Sequence, residues 1–300
     1  MGTNNSAISQ EDMKNYQVIQ KKEYANLAEM SEVRSSDQDQ NYYLMFKSLY
    51  AIDSKEKETN QVEKNRSLSH LAHTAELVQY KINEAHQMCF QNYVLNLYFE
   101  YSDKSINRLI KNAKANNYEI PEKQIWMVLN DCTEHIKAQD SIGSMHGDLK
   151  SQYIFFTPDM AEVKVINPLS YTKFGTGYNV LLGESKTEYK TPLSPELLVN
   201  LKNKVFYPQI DNIKSDLFSL GIIALCFTMK KNWEQLYNFS TYKINLDEIK
   251  IYLAKIIKMN YSEELFWVLD QCLKKDYAER PHINELLKMV RFRYNQIKNK

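Results

Sequence analysis

Glycine and proline are nearly absent from the first half of this 300-residue chain, and this limits what that half can form. No glycine lies between Gly2 and Gly143, and no proline precedes Pro121. The turns of this half must therefore be formed by Asn, Asp and Ser, whose side chains hydrogen-bond to the nearby backbone. Such polar residues, at 35–40, separate runs that alternate like strands. The pattern predicts a small antiparallel sheet.

The spacing of apolar residues changes along the chain. Strand-like alternation is typical of the first third, where the predicted strands lie within 16–32, 42–52, 77–82 and 93–101. Apolar residues at helical spacing occupy 68–75. Beyond residue 104 the pattern is helical, with amphipathic runs at 121–136, 216–229, 246–257, 262–273 and 283–297. We therefore predict an α+β protein in which a strand-rich part with one helix precedes a mostly helical part.

The composition excludes several classes of protein. With 43% hydrophobic and 25% charged residues and a net charge of +1, the chain resembles neither a disordered nor a nucleic-acid-coating protein. Its 21 tyrosines are scattered without basic residues between them, so no nucleic-acid platform is indicated. The apolar stretch 217–229 is shorter than the roughly 20 residues that span a bilayer. Four widely spaced cysteines predict a reducing, cytoplasmic setting without zinc or disulfides.

The N-terminus has a motif of its own. Met1-Gly2-Thr3-Asn4-Asn5-Ser6 matches the pattern for N-myristoylation at Gly2, and the alternative is a plain polar tail over 1–15. A single acyl chain binds membranes only marginally. Membrane association is therefore expected only if Gly2 is acylated.

The most specific pattern is His146-Gly147-Asp148-Leu149-Lys150-Ser151-Gln152-Tyr153. It resembles the catalytic loop HRDLKxxN of eukaryotic protein kinases. Other kinase motifs match in the family's order: Tyr43-Leu44-Met45-Phe46-Lys47 for VAIK, Asn167-Pro168-Leu169 for DFG, Ser194-Pro195-Glu196 for APE, Lys214 to Gly221 for the central helix, and Glu279-Arg280-Pro281 for the closing motif. Several ordered matches together are far more specific than any one of them.

The resemblance covers about residues 16–295 and implies the two-lobed kinase fold. The N-lobe would be a small antiparallel sheet with one helix over 16–101, and the larger, mostly helical C-lobe would follow over 102–300. A nucleotide cleft is then expected between the lobes. ATP is the ligand that the family binds there.

Several residues match kinase positions that handle the nucleotide. Asp148 matches the catalytic base, and Lys150 matches the lysine that steadies the transferred phosphate in serine/threonine kinases. Lys47 matches the lysine that binds the α- and β-phosphates. Residues of the strand entering the hinge would line the nucleotide site: Phe99, Glu100 and Tyr101.

Other positions depart from the family. Asn167 stands at the DFG aspartate, and Tyr153 stands at the catalytic-loop asparagine, so both magnesium ligands are changed and Mg²⁺ is not expected to bind well. The glycine-rich phosphate loop is absent. Lys64 falls where the helix glutamate that pairs with the lysine belongs, and Glu63 lies one residue, or about 100°, away.

Four matches correspond to architectural positions of the family, and we assign them no chemistry: His146, Asp216, Glu196 and Arg280. The resemblance implies that Arg280 pairs with Glu196. Gly147 replaces the arginine that clamps a phosphorylated activation segment in many kinases. Switching by that clamp is therefore not expected.

These observations favour a pseudokinase that regulates or scaffolds a protein partner, with weak or metal-independent nucleotide binding. One alternative is a divergent active Ser/Thr protein kinase, because Asp148, Lys150 and Lys47 are retained. Another is a purely structural subunit with an empty cleft. These three hypotheses differ in nucleotide binding and in phosphate transfer.

Overall fold

The computed structural model describes residues 16–24, 28–35, 42–51, 55–87, 90–172, 174–183 and 189–298. The predicted tail 1–15, with Gly2 and its acylation motif, lies outside the described residues, and so does Cys89. The other three cysteines are buried free thiols.

The N-terminal part is an antiparallel sheet, as the alternation predicts. Its strands are β1 (Tyr16–Tyr24), β2 (Ala28–Ser35), β3 (Tyr42–Ala51), β4 (Leu77–Gln87) and β5 (Phe90–Tyr101), arranged in the order β1-β2-β3-β5-β4. Because side chains alternate along a strand, β3 sends Leu44 and Phe46 into one buried cluster and Met45 into another, which it shares with Val33 and Tyr98. The sheet therefore has two packed faces.

The N-terminal helix lies earlier than predicted. Helix α1 spans Lys55–Asn65 and is followed by a short 3₁₀ helix at Arg66–His70, whereas the apolar spacing placed a helix at 68–75. The charged segment is helical because Glu58 and Val62, four residues apart, are buried on one side of it. Two inward positions are too few to give a visible apolar stripe.

The C-terminal part is mostly helical, as predicted. Its helices are α2 (Ile106–Ala115), α3 (Glu122–Asp140), α4 (Gly177–Gly183), α5 (Pro195–Lys202), α6 (Asn212–Thr228), α7 (Leu246–Lys258), α8 (Glu263–Cys272) and α9 (Ile283–Lys298). Every residue of α6 from Ser215 to Thr228 is buried, so this helix forms the centre of the core. Among the described residues, no helix is long and apolar enough to cross a membrane.

Two short strand pairs complete the fold. The hairpin of β6 (Ile154–Phe156) and β7 (Val163–Val165) carries the 146–153 loop before it and Asn167 after it, so it brings these segments to one place. Asn167 begins a 3₁₀ helix at Pro168–Tyr171. The other pair, β8 (Tyr237–Asn238) and β9 (Lys243–Ile244), lies beside α7.

An ion pair joins α5 to the segment before α9. Arg280 donates hydrogen bonds from both terminal nitrogens to the Glu196 carboxylate, at 2.7 and 2.8 Å, and its side chain has no exposed surface. It also donates to backbone carbonyls of Lys214, Lys274 and Lys275. A single buried guanidinium therefore connects α5, α6 and the C-terminal segment.

Removing this guanidinium should destabilise the protein strongly. We expect Arg280→Ala to lower the free energy of unfolding by about 3–5 kcal/mol, because it leaves the Glu196 carboxylate without its partner. The matched control is Arg291→Ala, since Arg291 is half exposed and pairs with Glu134 at 2.8 Å. That change should cost less than about 1 kcal/mol. Urea denaturation measures both, and equal losses would contradict the central role of Arg280.

Candidate functional site

Asp216 of α6 holds the start of the 146–153 loop through hydrogen bonds. The Asp216 carboxylate accepts backbone hydrogen bonds from His146 and Gly147, each at 2.9 Å. Burial raises the pKa of Asp216 to about 7, and the two N–H donors oppose that rise. The His146 ring is also fully buried, and its desolvation lowers its pKa well below the usual value, so the ring is neutral. Asp216 and His146 both hold the loop in its conformation.

Gly147 gives the loop a shape that no other residue would tolerate. Its φ is +66°, in the left-handed region, and a Cβ there would lie 2.6 Å from Thr176 Cγ2. The N–H of Gly177 donates to the Gly147 carbonyl at 2.9 Å. The chain before α4 therefore rests directly on the backbone where the family has its phosphate-clamping arginine.

Asp148 is the central charged group of the site, and it is 1% exposed. The Tyr189 hydroxyl donates a hydrogen bond to Asp148 Oδ2, and Lys150 Nζ lies 3.2 Å from Oδ1. Burial raises the pKa of the Asp148 carboxyl, while Lys150 and Tyr189 oppose this by stabilising the charged form. Tyr189 thus covers one oxygen of the Asp148 carboxylate.

Lys150 is enclosed together with Asp148. Its side chain is fully buried, and Nζ lies 3.8 Å from the centre of the Tyr189 ring and 4.8 Å from that of Tyr153. It also donates to the Lys190 carbonyl at 3.3 Å. An ammonium placed against two aromatic faces and a carboxylate is a stable buried arrangement. It is not positioned to meet a phosphate in solvent.

Helix α4 closes the site from the other side. A Cβ added to Gly177 would lie 2.6 Å from Asp148 Oδ1 and 2.7 Å from Thr191 Cγ2. Only a glycine permits this approach of the helix to the carboxylate. Asp148 is therefore covered by Tyr189 on one side and by the start of α4 on another.

Asn167, at the family's metal-binding position, makes hydrogen bonds within the protein. The side-chain amide donates to the His146 carbonyl at 3.1 Å, and its oxygen accepts from the N–H of Ser170 at 3.4 Å. The residue is 4% exposed and caps the 3₁₀ helix that follows. The amide oxygen is therefore turned towards backbone rather than towards a bound cation.

The second metal position is also unsuitable. The Tyr153 side chain is fully buried and belongs to the same apolar cluster as Leu44, Phe46 and Phe155. Among the described residues, no group of three or more His, Cys, Asp or Glu side chains could hold a metal ion. The residues at the two family positions do not fit Mg²⁺.

Lys47 lies on the face of the sheet opposite to Phe46. Phe46 packs in the cluster with Tyr153, on the sheet face towards the 146–153 loop. The pairing of β3 with β5 is regular, with Lys47 opposite Asn96, so Lys47 shares the other face with Met45. The role of Lys47 at a phosphate-binding position stays a prediction, and Phe46 is its neighbour that faces the 146–153 loop.

The predicted hinge side chains all contact protein. The Phe99 ring packs against Tyr171 with centres 5.6 Å apart, and the Tyr101 ring packs against Phe155 at 5.2 Å. Glu100 Oε1 lies 2.6 Å from Lys164 Nζ. The side chains of all three residues are therefore engaged within the protein.

An unpredicted ion pair connects the sheet with the helical part. Glu32 of β2 is opposite Leu44 and therefore lies on the cleft face, where it is 6% exposed. Its carboxylate binds the guanidinium of Arg108 in α2, and the Tyr101 hydroxyl donates to it at 3.3 Å. This pair holds the two lobes together across the cleft.

Helix α1 contacts the cleft through residues that the alignment did not select. Lys64 and Glu63 are both exposed, whereas Glu58 is 2% exposed. The amides of Gln61 and Asn65 donate to the Ser170 carbonyl at 3.2 and 2.5 Å. Two hydrogen bonds thus connect this helix to the 3₁₀ helix at Pro168–Tyr171.

Comparison with protein families agrees with this architecture. The protein kinase domain family matches residues 28–292, which is most of the chain. The chain belongs to the protein kinase superfamily. Its antiparallel N-terminal sheet and helical C-terminal part form the two-lobed kinase fold that the motifs predicted.

Sequence reasoning missed the groups that close the site. Tyr189 and Gly177 lie between the DFG-like and APE-like motifs, where no kinase motif marks them. Glu32 and Arg108 are ordinary charged residues in the sequence. Glu58 could have been found, because it lies four residues before Val62 and both would share one side of a helix.

The contact at Gly147 can be separated from its backbone strain. Gly143 has a similar φ of +68°, but a Cβ there would meet nothing within 4 Å. We expect Gly143→Ala to lower the free energy of unfolding by about 1–2 kcal/mol, the cost of the left-handed conformation. Gly147→Ala should cost about 1–3 kcal/mol more, because the methyl displaces Thr176. Equal losses in urea denaturation would refute the steric contact.

The Tyr189 hydroxyl should contribute measurably to stability. Tyr189→Phe removes one donor from the buried Asp148 carboxylate, so we expect the free energy of unfolding to fall by about 1–3 kcal/mol. Tyr207→Phe is the control, because Tyr207 is 86% exposed and its change should stay within about 0.5 kcal/mol. The loss should vanish when Tyr189→Phe is made in the Asp148→Ala background, which removes both acceptor oxygens. A loss that persists there would contradict the proposed bond.

Proposed function

We propose that this chain is a pseudokinase, a kinase-fold domain that regulates or scaffolds other proteins and does not transfer phosphate efficiently. The observation that carries the proposal is the enclosure of Asp148, which is 1% exposed and bonded to Tyr189. A general base must lie within hydrogen-bond reach of the proton it removes. A substrate hydroxyl would have to displace Tyr189 and α4 to reach it.

The metal positions support the same conclusion. Phosphoryl transfer depends on cations that neutralise charge developing on the phosphate. Asn167 uses its amide to cap a 3₁₀ helix, and Tyr153 is part of an apolar cluster. If each lost metal contact weakens transition-state stabilisation by about 2–3 kcal/mol, the two together slow transfer about a thousandfold or more.

The cleft face of the sheet also disfavours ATP. In kinases a lysine of this strand faces the cleft and binds phosphate, but here Phe46 faces the cleft. Phe46 supplies no charge for a triphosphate. Glu32 presents a carboxylate on the same face, already paired with Arg108. A polyanion would have to disrupt this pair and would gain no cation from β3. These contacts favour a domain that needs no nucleotide.

One observation favours an active kinase as the second candidate. Asp148 and Lys150, the base and the phosphate-steadying lysine of the family, remain 3.2 Å apart. An activation segment that moved Tyr189 and α4 away would expose both. This alternative requires a different arrangement of 174–191 in the active form.

The two candidates are distinguished by nucleotide titration and by transfer assays. We expect neither ATP nor ADP, with or without Mg²⁺ or Mn²⁺, to raise the melting temperature of the purified chain, because a ligand stabilises only a state that binds it. We also expect no transfer of labelled phosphate to the chain itself, to casein or to myelin basic protein. An active kinase tested in parallel verifies the assay.

Matched variants identify the source of any signal. Asp148→Asn keeps the shape of the side chain, and Asp247→Asn controls for loss of a carboxylate at a position that is 92% exposed. Transfer that disappears in Asp148→Asn and persists in Asp247→Asn would overturn the pseudokinase assignment. A melting shift that needs no metal would instead indicate a pseudokinase that holds nucleotide.

A further inference from the structure

A patch of apolar side chains is exposed at the end of α5 and in the loop that follows. Val199, Phe206 and Tyr207 are 58%, 70% and 86% exposed. The loop folds back on the helix, because the N–H of Val205 donates to the Asn200 carbonyl at 3.0 Å. These three exposed side chains of α5 and its following loop are called here the α5 patch. Neighbouring exposed apolar residues of this size mark interaction sites more often than isolated ones do.

A cavity of about 220 Å³ opens beside the α5 patch. Its lining includes Tyr178 and Asn179 of α4 and Phe206 and Tyr207 of the patch. Pockets for small-molecule ligands are usually larger, from about 300 Å³ upwards. This one suits a single large apolar side chain of a partner.

The charged residues around the patch indicate which kind of partner would bind there. Lys202 and Lys204 are exposed beside it, and neither lies within ion-pair distance of a carboxylate in the part of the chain that is described. The nearby acids are otherwise engaged: Glu196 pairs with Arg280, and Asp211 caps α6 through the N–H of Lys214. An acidic segment would supply the missing countercharge.

We propose that the α5 patch docks an acidic segment of a partner protein, which inserts one large apolar side chain into the 220 Å³ cavity while its carboxylates face Lys202 and Lys204. This inference rests on the proposed function and names the surface through which that function operates. A protein segment is favoured over a lipid surface because the site is concave, and a flat bilayer would leave the cavity unfilled.

The cavity lies next to the segment that covers Asp148. The residues that line it include Tyr178 of α4, Thr176 and Gly147. Helix α4 is also the element whose Gly177 covers Asp148. A side chain in the cavity therefore contacts the closed arrangement of the activation segment and stabilises it.

A random peptide library displayed on phage tests the proposal. Selection is made on the full chain, with counter-selection on the folded Phe206→Ser/Tyr207→Ser variant. We expect enriched peptides to carry Asp or Glu around a Leu, Phe or Trp. Fluorescence anisotropy with one enriched peptide should show binding about tenfold or more weaker for the double variant. Phe292→Ser, on the 68% exposed Phe292 of α9, should bind normally.

Charge reversal tests the electrostatic part. Lys202→Glu/Lys204→Glu should weaken the same peptide, and Lys111→Glu/Lys288→Glu, which alters two exposed lysines elsewhere, should not. High salt should weaken binding to the unaltered chain.

Two results would overturn the proposal. One is selection of neutral or basic peptides, or of none above the counter-selected variant. The other is binding of the chain to phosphatidylserine vesicles that is lost in Phe206→Ser/Tyr207→Ser, which would assign the patch to a membrane. Neither readout depends on phosphate transfer, so failure here leaves the pseudokinase proposal standing.

Discussion

A carboxylate removed from water must find partners within the protein, and the arrangement around Asp148 follows from that requirement. The buried charge is balanced by Lys150 at 3.2 Å and by the Tyr189 hydroxyl. Tyr189 also stacks on the ammonium, so each of the three groups stabilises the other two. The activation segment is positioned by this contact, and α4 reaches the carboxylate only because Gly177 has no side chain.

Three positions that handle nucleotide and metal in kinases have a packing role here. Asn167 caps a 3₁₀ helix, while Tyr153 and Phe46 belong to an apolar cluster that includes residues from both lobes. Burial of aromatic side chains of this size stabilises a fold by roughly 1.5–3 kcal/mol each. The lobes are thereby joined by side-chain packing and by the Glu32–Arg108 pair, which need no bound nucleotide.

The sequence predicted the fold well because kinase motifs recur at ordered positions and long apolar helices have a clear period. It predicted the site less well, for two physical reasons. A strand reverses its side chains at every residue, so a motif match on β3 does not by itself specify whether Phe46 or Lys47 faces the cleft. Contacts such as Tyr189 with Asp148 join residues 41 positions apart, and neither residue's local sequence specifies the other.

The close contact between Thr176 and Gly147 limits which residues position 147 can accept. An arginine at position 147 would need space that the Thr176 side chain now fills, and a backbone angle that arginine rarely adopts. Restoring the family's residue alone would therefore damage the fold before it could recover a phosphate clamp. An arginine at position 147 would therefore be accommodated only together with changes at the positions that contact it.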